Sequence, residues 1–184
     1  MRTLLNGEVI LENKKYITSK TDLAGYITYV NDYFCEVADY RKEELIGKNH
    51  NIIRHQDMPK VVFKFMWDRL HKDEGIYAYV KNLAKDGSYY WVIADIEIVK
   101  KNGIKVGYYS FRSKANKKGV EEISKVYKLL IEKEKEGGME LSGKVLQKFL
   151  EKKSMSYDEY INYLMGGGGL LKAWYAMLKK LLRF

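Results

Sequence analysis

An α+β fold is what the order of patterns in this sequence predicts: two short strand-like runs, three helical stretches, then three longer strand-like runs. Two observations carry that expectation. The apolar period shortens from the helical to the strand value close to residue 75. The runs beyond that point are joined by Asp86-Gly87 and Asn102-Gly103, dipeptides that favour tight hairpins. Helices inserted between two antiparallel groups of strands lie on one face of the resulting five-stranded sheet, and a space can remain between the layers.

Taken in order, residues 1–14 read as a polar lead-in to a domain spanning 15–114. Residues 15–18 and 26–30 are rich in β-branched and aromatic types, and Asp22-Leu23-Ala24-Gly25 between them has turn character. Asn31 is placed to cap a helix whose apolar face holds Phe34, Val37 and Ala38. A further helical turn over 41–46 stops at Gly47. Val61, Val62, Phe65, Met66 and Leu70 then keep helical spacing, with Trp67 on the flank. Residues 76–83, 89–99 and 105–111 follow as strands. In the middle one Tyr90, Val92, Ala94, Ile96 and Ile98 share a face, so Tyr90 and Trp91 point to opposite sides of the sheet.

Composition narrows the functional classes. With 46% hydrophobic and 14% aromatic residues the chain can build a core, and a single cysteine, Cys35, excludes a disulfide framework and a cysteine-rich zinc site. The net charge of +9 is diffuse, +4 over residues 1–114 and +5 over 115–184, and no basic stripe points to nucleic acid. The first residues are too polar for a signal peptide and no apolar run reaches spanning length, which leads to an expectation of cytoplasmic location. No nucleophile motif, phosphate loop or spaced set of metal ligands is present, so the chain is not read as an enzyme.

One segment concentrates chemistry. Residues 47–60 hold His50, Asn51, Arg54, His55 and Asp57 in a non-periodic run just before the helical pattern that opens with Met58-Pro59. Asp57 has the form of an N-cap, with the only proline of the chain in the first turn. A helix N-terminus beside the fork of Arg54 favours an anionic group such as phosphate or carboxylate. The alternative is a capped loop with solvated polar residues, and from this segment alone both readings stand. Asn82 lies mid-strand, where an amide is disfavoured and needs a partner.

Six blocks in order across residues 16–112 resemble the PAS domains of aerotaxis (Aer-type) receptors. They are Thr18-Ser19-Lys20-Thr21-Asp22-Leu23, Ile27-Thr28-Tyr29-Val30-Asn31-Asp32, Glu44-Leu45-Ile46-Gly47-Lys48, His50-Asn51-Ile52-Ile53-Arg54-His55-Gln56-Asp57-Met58-Pro59, Val80-Lys81-Asn82 and Gly87-Ser88-Tyr89-Tyr90-Trp91-Val92. The likeness extends to the soluble, CetB-like PAS half of bipartite energy-taxis receptors in bacteria. It implies a PAS fold that binds FAD, senses redox or energy state, and signals to a membrane-bound chemotaxis transducer. It implies cofactor contacts at Asn31, His50, Asn51, Arg54, His55, Asp57, Trp67 and Asn82, and at Tyr90 or Trp91. Where the family commonly has tryptophan and glycine this chain has Ile76 and Ala78, and Gln56 stands where proline is usual. An aliphatic cover at Ile76 lacks aromatic stacking, worth about 0.5–1.5 kcal/mol. The alternatives are haem held by His71, and a cofactor-free PAS interaction module.

Beyond the sensor, residues 115–165 carry three amphipathic helical patterns. The first is stopped by Gly137-Gly138, and the third is opened by the capping box Ser156-x-x-Glu159. These must pack on the sheet, on each other or on a partner, so homodimerisation through them or through the PAS domain stays open. A glycine linker, 166–169, leads to a cationic amphipathic run, 170–184. That run suits an anionic surface at the inner membrane, a partner groove, or an appended tag.

Overall fold

The computed structural model describes residues 3–5 and 7–166. The glycine run beyond Gly166 and the whole of 170–184, with the membrane reading placed on them, lie outside the described residues.

The strands are β1 (Thr3–Leu5), β2 (Glu8–Ile10), β3 (Ile17–Thr21), β4 (Ile27–Val30), β5 (Ile76–Leu83), β6 (Tyr89–Lys101) and β7 (Ile104–Lys114). Five of them, in the order β5-β6-β7-β3-β4, form the antiparallel sheet expected from the hairpin signals. The lead-in is not strand-free. β1 and β2 pair as a small hairpin, and β2 meets β6 in parallel at Glu8 and Tyr89. These strands are three residues each, too short to show a period.

Helices α1 (Asp32–Ala38), α2 (Lys42–Leu45) and α3 (Lys60–His71), with a 3₁₀ turn at His50–Ile53, cover the inner face of the sheet. That face is set by the strand period: Ile76, Ala78, Val80 and Asn82 of β5 stand opposite Ile96, Ala94, Val92 and Tyr90 of β6. Ser19 of β3, Ser110 of β7 and Ile96 lie in one row across three strands. Bulges at Lys20/Thr21 and Val99/Lys100 sharpen the twist and curl the sheet around the helices. Gly107 permits the closest approach, since a Cβ there would stand 2.1 Å from the Thr21 carbonyl oxygen.

The outer face receives the C-terminal helices, α4 (Lys117–Lys152) and α5 (Tyr157–Leu164). Tyr127 stacks on Trp91 at 6.3 Å and donates its hydroxyl to the Tyr79 carbonyl at 2.8 Å. The helix is broken where the glycine pair predicts, with Gly138 at φ +68° and ψ −169°. Its second half turns back along α3. The α5 helix, opened by the predicted Ser156–Glu159 box, sets Tyr157 against Phe65 and Asp158 against Arg69. α4 and α5 therefore wrap the β5 edge and tie the outer face of the sheet to α3. Among the described residues no helix is long and apolar enough to cross a membrane.

Candidate functional site

A cavity of about 400 Å³ lies between the sheet and the helical layer, within the range of about 300–1,000 Å³ usual for small-molecule sites. Its helical side is built from Asn49, His50, Asn51, Ile53 and Arg54 of the central segment and Phe63, Met66, Trp67 and Leu70 of α3. Its sheet side is built from Ser19 and Thr21 of β3, Val80 and Asn82 of β5, Ala94 and Ile96 of β6, and Tyr108, Ser110 and Arg112 of β7. Phe63, Trp67 and Tyr108 supply aromatic surface, with Trp67 edge-on to Tyr108 at 5.4 Å.

The central segment is held to the edge of the sheet rather than hanging free. Gly47 donates to the Ile27 carbonyl and Ile27 donates to the Lys48 carbonyl, both at 2.8 Å, and His50 donates to the Gly25 carbonyl at 2.9 Å. At the other end Arg54 forms an antiparallel bridge with Asn82. The loop thus spans from β4 to β5 and closes one side of the cavity.

Two polar atoms on the sheet wall lack hydrogen-bond partners among the described residues. Asn82 is 4% exposed and Ser110 is 6% exposed, yet Asn82 Nδ2 and Ser110 Oγ make no hydrogen bond. A buried donor without a partner costs about 1–3 kcal/mol, so each is a place where a ligand's polar edge would be stabilised.

Beside them Arg112, also buried, donates from Nη1 to Ser19 Oγ at 2.9 Å and approaches His50 Nε2 with Nη2 at 2.8 Å. Guanidinium only donates, so His50 Nε2 is the acceptor and the ring is neutral with its proton on Nδ1. Burial and the positive charge of Arg112 hold the His50 pKa down to about 3. The guanidinium of Arg54 lies 4.2 Å above the Phe63 ring and donates to the Met58 carbonyl.

Of the residues expected at the site, His50, Asn51, Arg54, Trp67 and Asn82 come together on this cavity. Five others do not line it. Asn31 caps α1 and spends its amide on Phe34 N, Thr18 N and the Tyr16 carbonyl. His55 lines a separate outer groove with Arg54, Lys60, Glu134 and Lys135, and takes the Asp57 N–H on Nδ1 at 3.0 Å. Loss of solvation and the nearby Lys81 lower its pKa. Asp57 is not the N-cap of α3: Pro59 occupies that place, and the Asp57 carboxylate pairs with Lys81 Nζ at 2.6 Å, a bond that lowers its pKa. Tyr90 is fully buried in the core of the inner face, and Trp91 is turned outward against Tyr127. Ile76, expected as an aliphatic cover, is buried outside the cavity wall. His71 is exposed at the end of α3, its ring 6.0 Å from Trp67.

Ser19, Tyr108, Ser110 and Arg112 were not singled out from the sequence. Their signal is present in β7, where Tyr108, Ser110 and Arg112 alternate on one face of a strand. Polar residues at every second position of a buried face mark a wall that is not pure core.

Comparison with known proteins agrees with this architecture. Residues 27–112 match the family described as PAS fold. The chain is 41% identical over 114 residues, 62% of its length, to the aerotaxis receptor of Escherichia coli (strain K12), of which it covers 22%. It is 29% identical over 87 residues, 47% of its length, to a nitrogen fixation regulatory protein of Klebsiella pneumoniae, of which it covers 18%. The chain thus spans only about a fifth of the length of these relatives. Among solved structures, a light-oxygen-voltage domain studied with a flavin analogue aligns over 60% of this chain and 83% of its own. The TM-score is 0.53 and the identity 20%. The light state of the Aureochrome1 LOV photoreceptor aligns over 62% and 88%, with a TM-score of 0.50 and 18% identity. These two likenesses establish the fold. The sequence likeness is to the aerotaxis receptor, over a part of the chain that includes the match to the PAS fold.

Proposed function

We propose that this protein is a redox sensor that holds FAD in its PAS cavity and signals by protein contact to a membrane-bound chemotaxis transducer. The observation that carries this reading is the pair of unpartnered buried groups, Asn82 Nδ2 and Ser110 Oγ, on the wall of a cavity with three aromatic residues. A flavin ring has aromatic faces for Phe63, Trp67 and Tyr108 and polar edge atoms for Asn82 and Ser110. Bound there, it would take up and release electrons. The chain's own part is to bind and orient it: Asn82 and Ser110 at its polar edge, Trp67 across its face, Arg112 as a fixed positive charge held by Ser19 and His50, and Arg54 and Asn51 toward the groove. The aerotaxis receptor likeness supports the output, and the cationic run 170–184 would keep the sensor near an anionic membrane surface. His71 is exposed at the end of α3 and does not line the cavity, which supports flavin over haem.

The test is to incubate the purified full chain with FAD, desalt it and record the absorption spectrum. Flavin bands that co-elute with the protein are expected. Asn82→Ala should weaken retention about five- to a hundredfold, as loss of one buried hydrogen bond predicts. Asp57→Asn, whose side chain does not line the cavity, should retain flavin within about threefold of the native protein. A protein that stays colourless, or equal loss in both variants, would defeat the reading.

A further inference from the structure

The inner cavity carries positive charge on its wall and no negative charge. Among the described residues that line it there is no aspartate or glutamate, while two are arginines, Arg54 and Arg112. Arg112 is the deeper of the two, 6% exposed, and a guanidinium does not shed its proton at any ordinary pH. It is fixed from three sides. Nη1 donates to Ser19 Oγ of β3 at 2.9 Å, and Nη2 donates to His50 Nε2 of the 3₁₀ turn at 2.8 Å. The guanidinium carbon lies 5.7 Å from the centre of the Phe34 ring of α1. All three groups are neutral, so they hold the cation in place without cancelling its charge. His50 is held in turn, its backbone N–H donating to the Gly25 carbonyl at 2.9 Å.

The sheet register shows what passes in front of this charge. Along β6, Tyr90 stands opposite Asn82, Ala94 opposite Arg112 and Ile96 opposite Ser110. The row of Arg112 therefore lies between the rows that carry Asn82 Nδ2 and Ser110 Oγ, the two groups without hydrogen bonds. A ligand that satisfies both crosses the row of the guanidinium. A buried charge acts on such a neighbour with far more force than the same charge in water.

We propose that Arg112 makes the cavity select the reduced form of its ligand over the oxidised form, with Ser19 and His50 as positioning residues that fix the guanidinium. The proposal rests on the flavin reading above. Reduction adds electrons to a flavin ring, and a nearby cation stabilises the form with the greater negative charge. Binding and reduction are then linked: a cavity that holds the reduced form more tightly makes the bound ring easier to reduce than the free one. Fixing the guanidinium matters because one free to turn would lose part of that gain in being ordered.

The experiment measures the affinity of the full chain for oxidised FAD and, without oxygen, for FAD reduced with dithionite, by quenching of tryptophan fluorescence. The readout is the ratio of the two dissociation constants, which a merely structural role leaves unchanged because it weakens both forms alike. Arg112→Gln should lower the preference for reduced FAD about tenfold or more. Arg112→Lys, which keeps the charge, should stay within about threefold of the native ratio. His50→Gln keeps an acceptor for Nη2 and should also stay within about threefold, whereas His50→Leu should lose more than that. Equal weakening of both forms in Arg112→Gln, a ratio in Arg112→Lys as low as in Arg112→Gln, or an unchanged ratio in His50→Leu would overturn the proposal and leave the flavin reading standing. Should Arg112→Gln fail to fold, the two His50 variants decide alone. If the native chain binds neither form, the flavin reading fails and this proposal fails with it.

Discussion

His50 gives the site a pH dependence of its own. Its pKa is about 3 in the folded protein against an ordinary value of 6.5. Above that ordinary value the ring is neutral folded or unfolded, and its contribution to stability is complete. Below it the unfolded chain takes up a proton that the folded chain refuses until about pH 3. Stability then falls as pH drops across that window, by up to about 1.4 kcal/mol per unit from this group. Denaturant titrations between pH 7 and 4 should show that slope in the native protein and a shallower one in His50→Gln; parallel profiles would refute the assignment. The sequence showed this histidine as one of several polar residues before a helix, and that cluster was a sound pointer to the cavity. It did not separate His50, beside Arg112, from His55 and Asp57, which lie outside the cavity wall. That separation depends on Arg112, which is 62 residues away and reaches Nε2 only through the pairing of β7 with β3.

At the scale of elements, Asn116 joins three of them. Its Oδ1 accepts from Gly119 N at 2.7 Å and caps α4, while Nδ2 donates to the Tyr79 hydroxyl of β5 at 2.7 Å and to the Leu164 carbonyl of α5 at 2.9 Å. Gly119 is tied to the same spot, since a Cβ there would meet the Tyr79 hydroxyl at 2.2 Å. Asn116→Ala removes the cap and leaves a buried tyrosine hydroxyl short of a partner, so it should lower stability by about 1–3 kcal/mol. It should also loosen α4 and α5 together, which thermal denaturation and hydrogen exchange over 117–164 would show. A loss confined to α4 would count against the three-way joint. The elements themselves were largely legible: hairpin dipeptides located β5 to β7, Asn31 and Ser156 announced their helix starts, and the glycine pair marked the break in α4. The start of α3 was misread because Asp57 has cap chemistry, whereas its carboxylate is drawn to Lys81 on β5. With Pro59 at the N-cap position, the Val61 amide is taken instead by Glu134, 73 residues away and beyond the reach of any local rule.

For the molecule as a whole, alternation and period were enough to forecast a sheet with helices enclosing a space, because each strand buries one face and records it in its own residues. What they left open was how the C-terminal helices pack. Their apolar stripes could fit the sheet, each other or a partner, and they take the first two. The hydrogen bonds that fasten residues 47–50 to β4 have a consequence for colloidal behaviour. An outermost strand with free N–H and C=O groups is a template on which a second chain can add. Here Ile27 commits both groups to Gly47 and Lys48, so the loop that walls the cavity also shields the end of the sheet. Gly47 makes that course possible with φ +76°, which a branched side chain resists. Gly47→Val should therefore unzip the loop and expose the strand. Concentration-dependent aggregation by light scattering is expected in that variant even where the monomer still folds, and a clear solution at concentrations the native protein tolerates would argue against it. Losing the cavity wall and losing solubility would then be one event, so a protein damaged at this loop would leave solution instead of persisting folded with an open cavity.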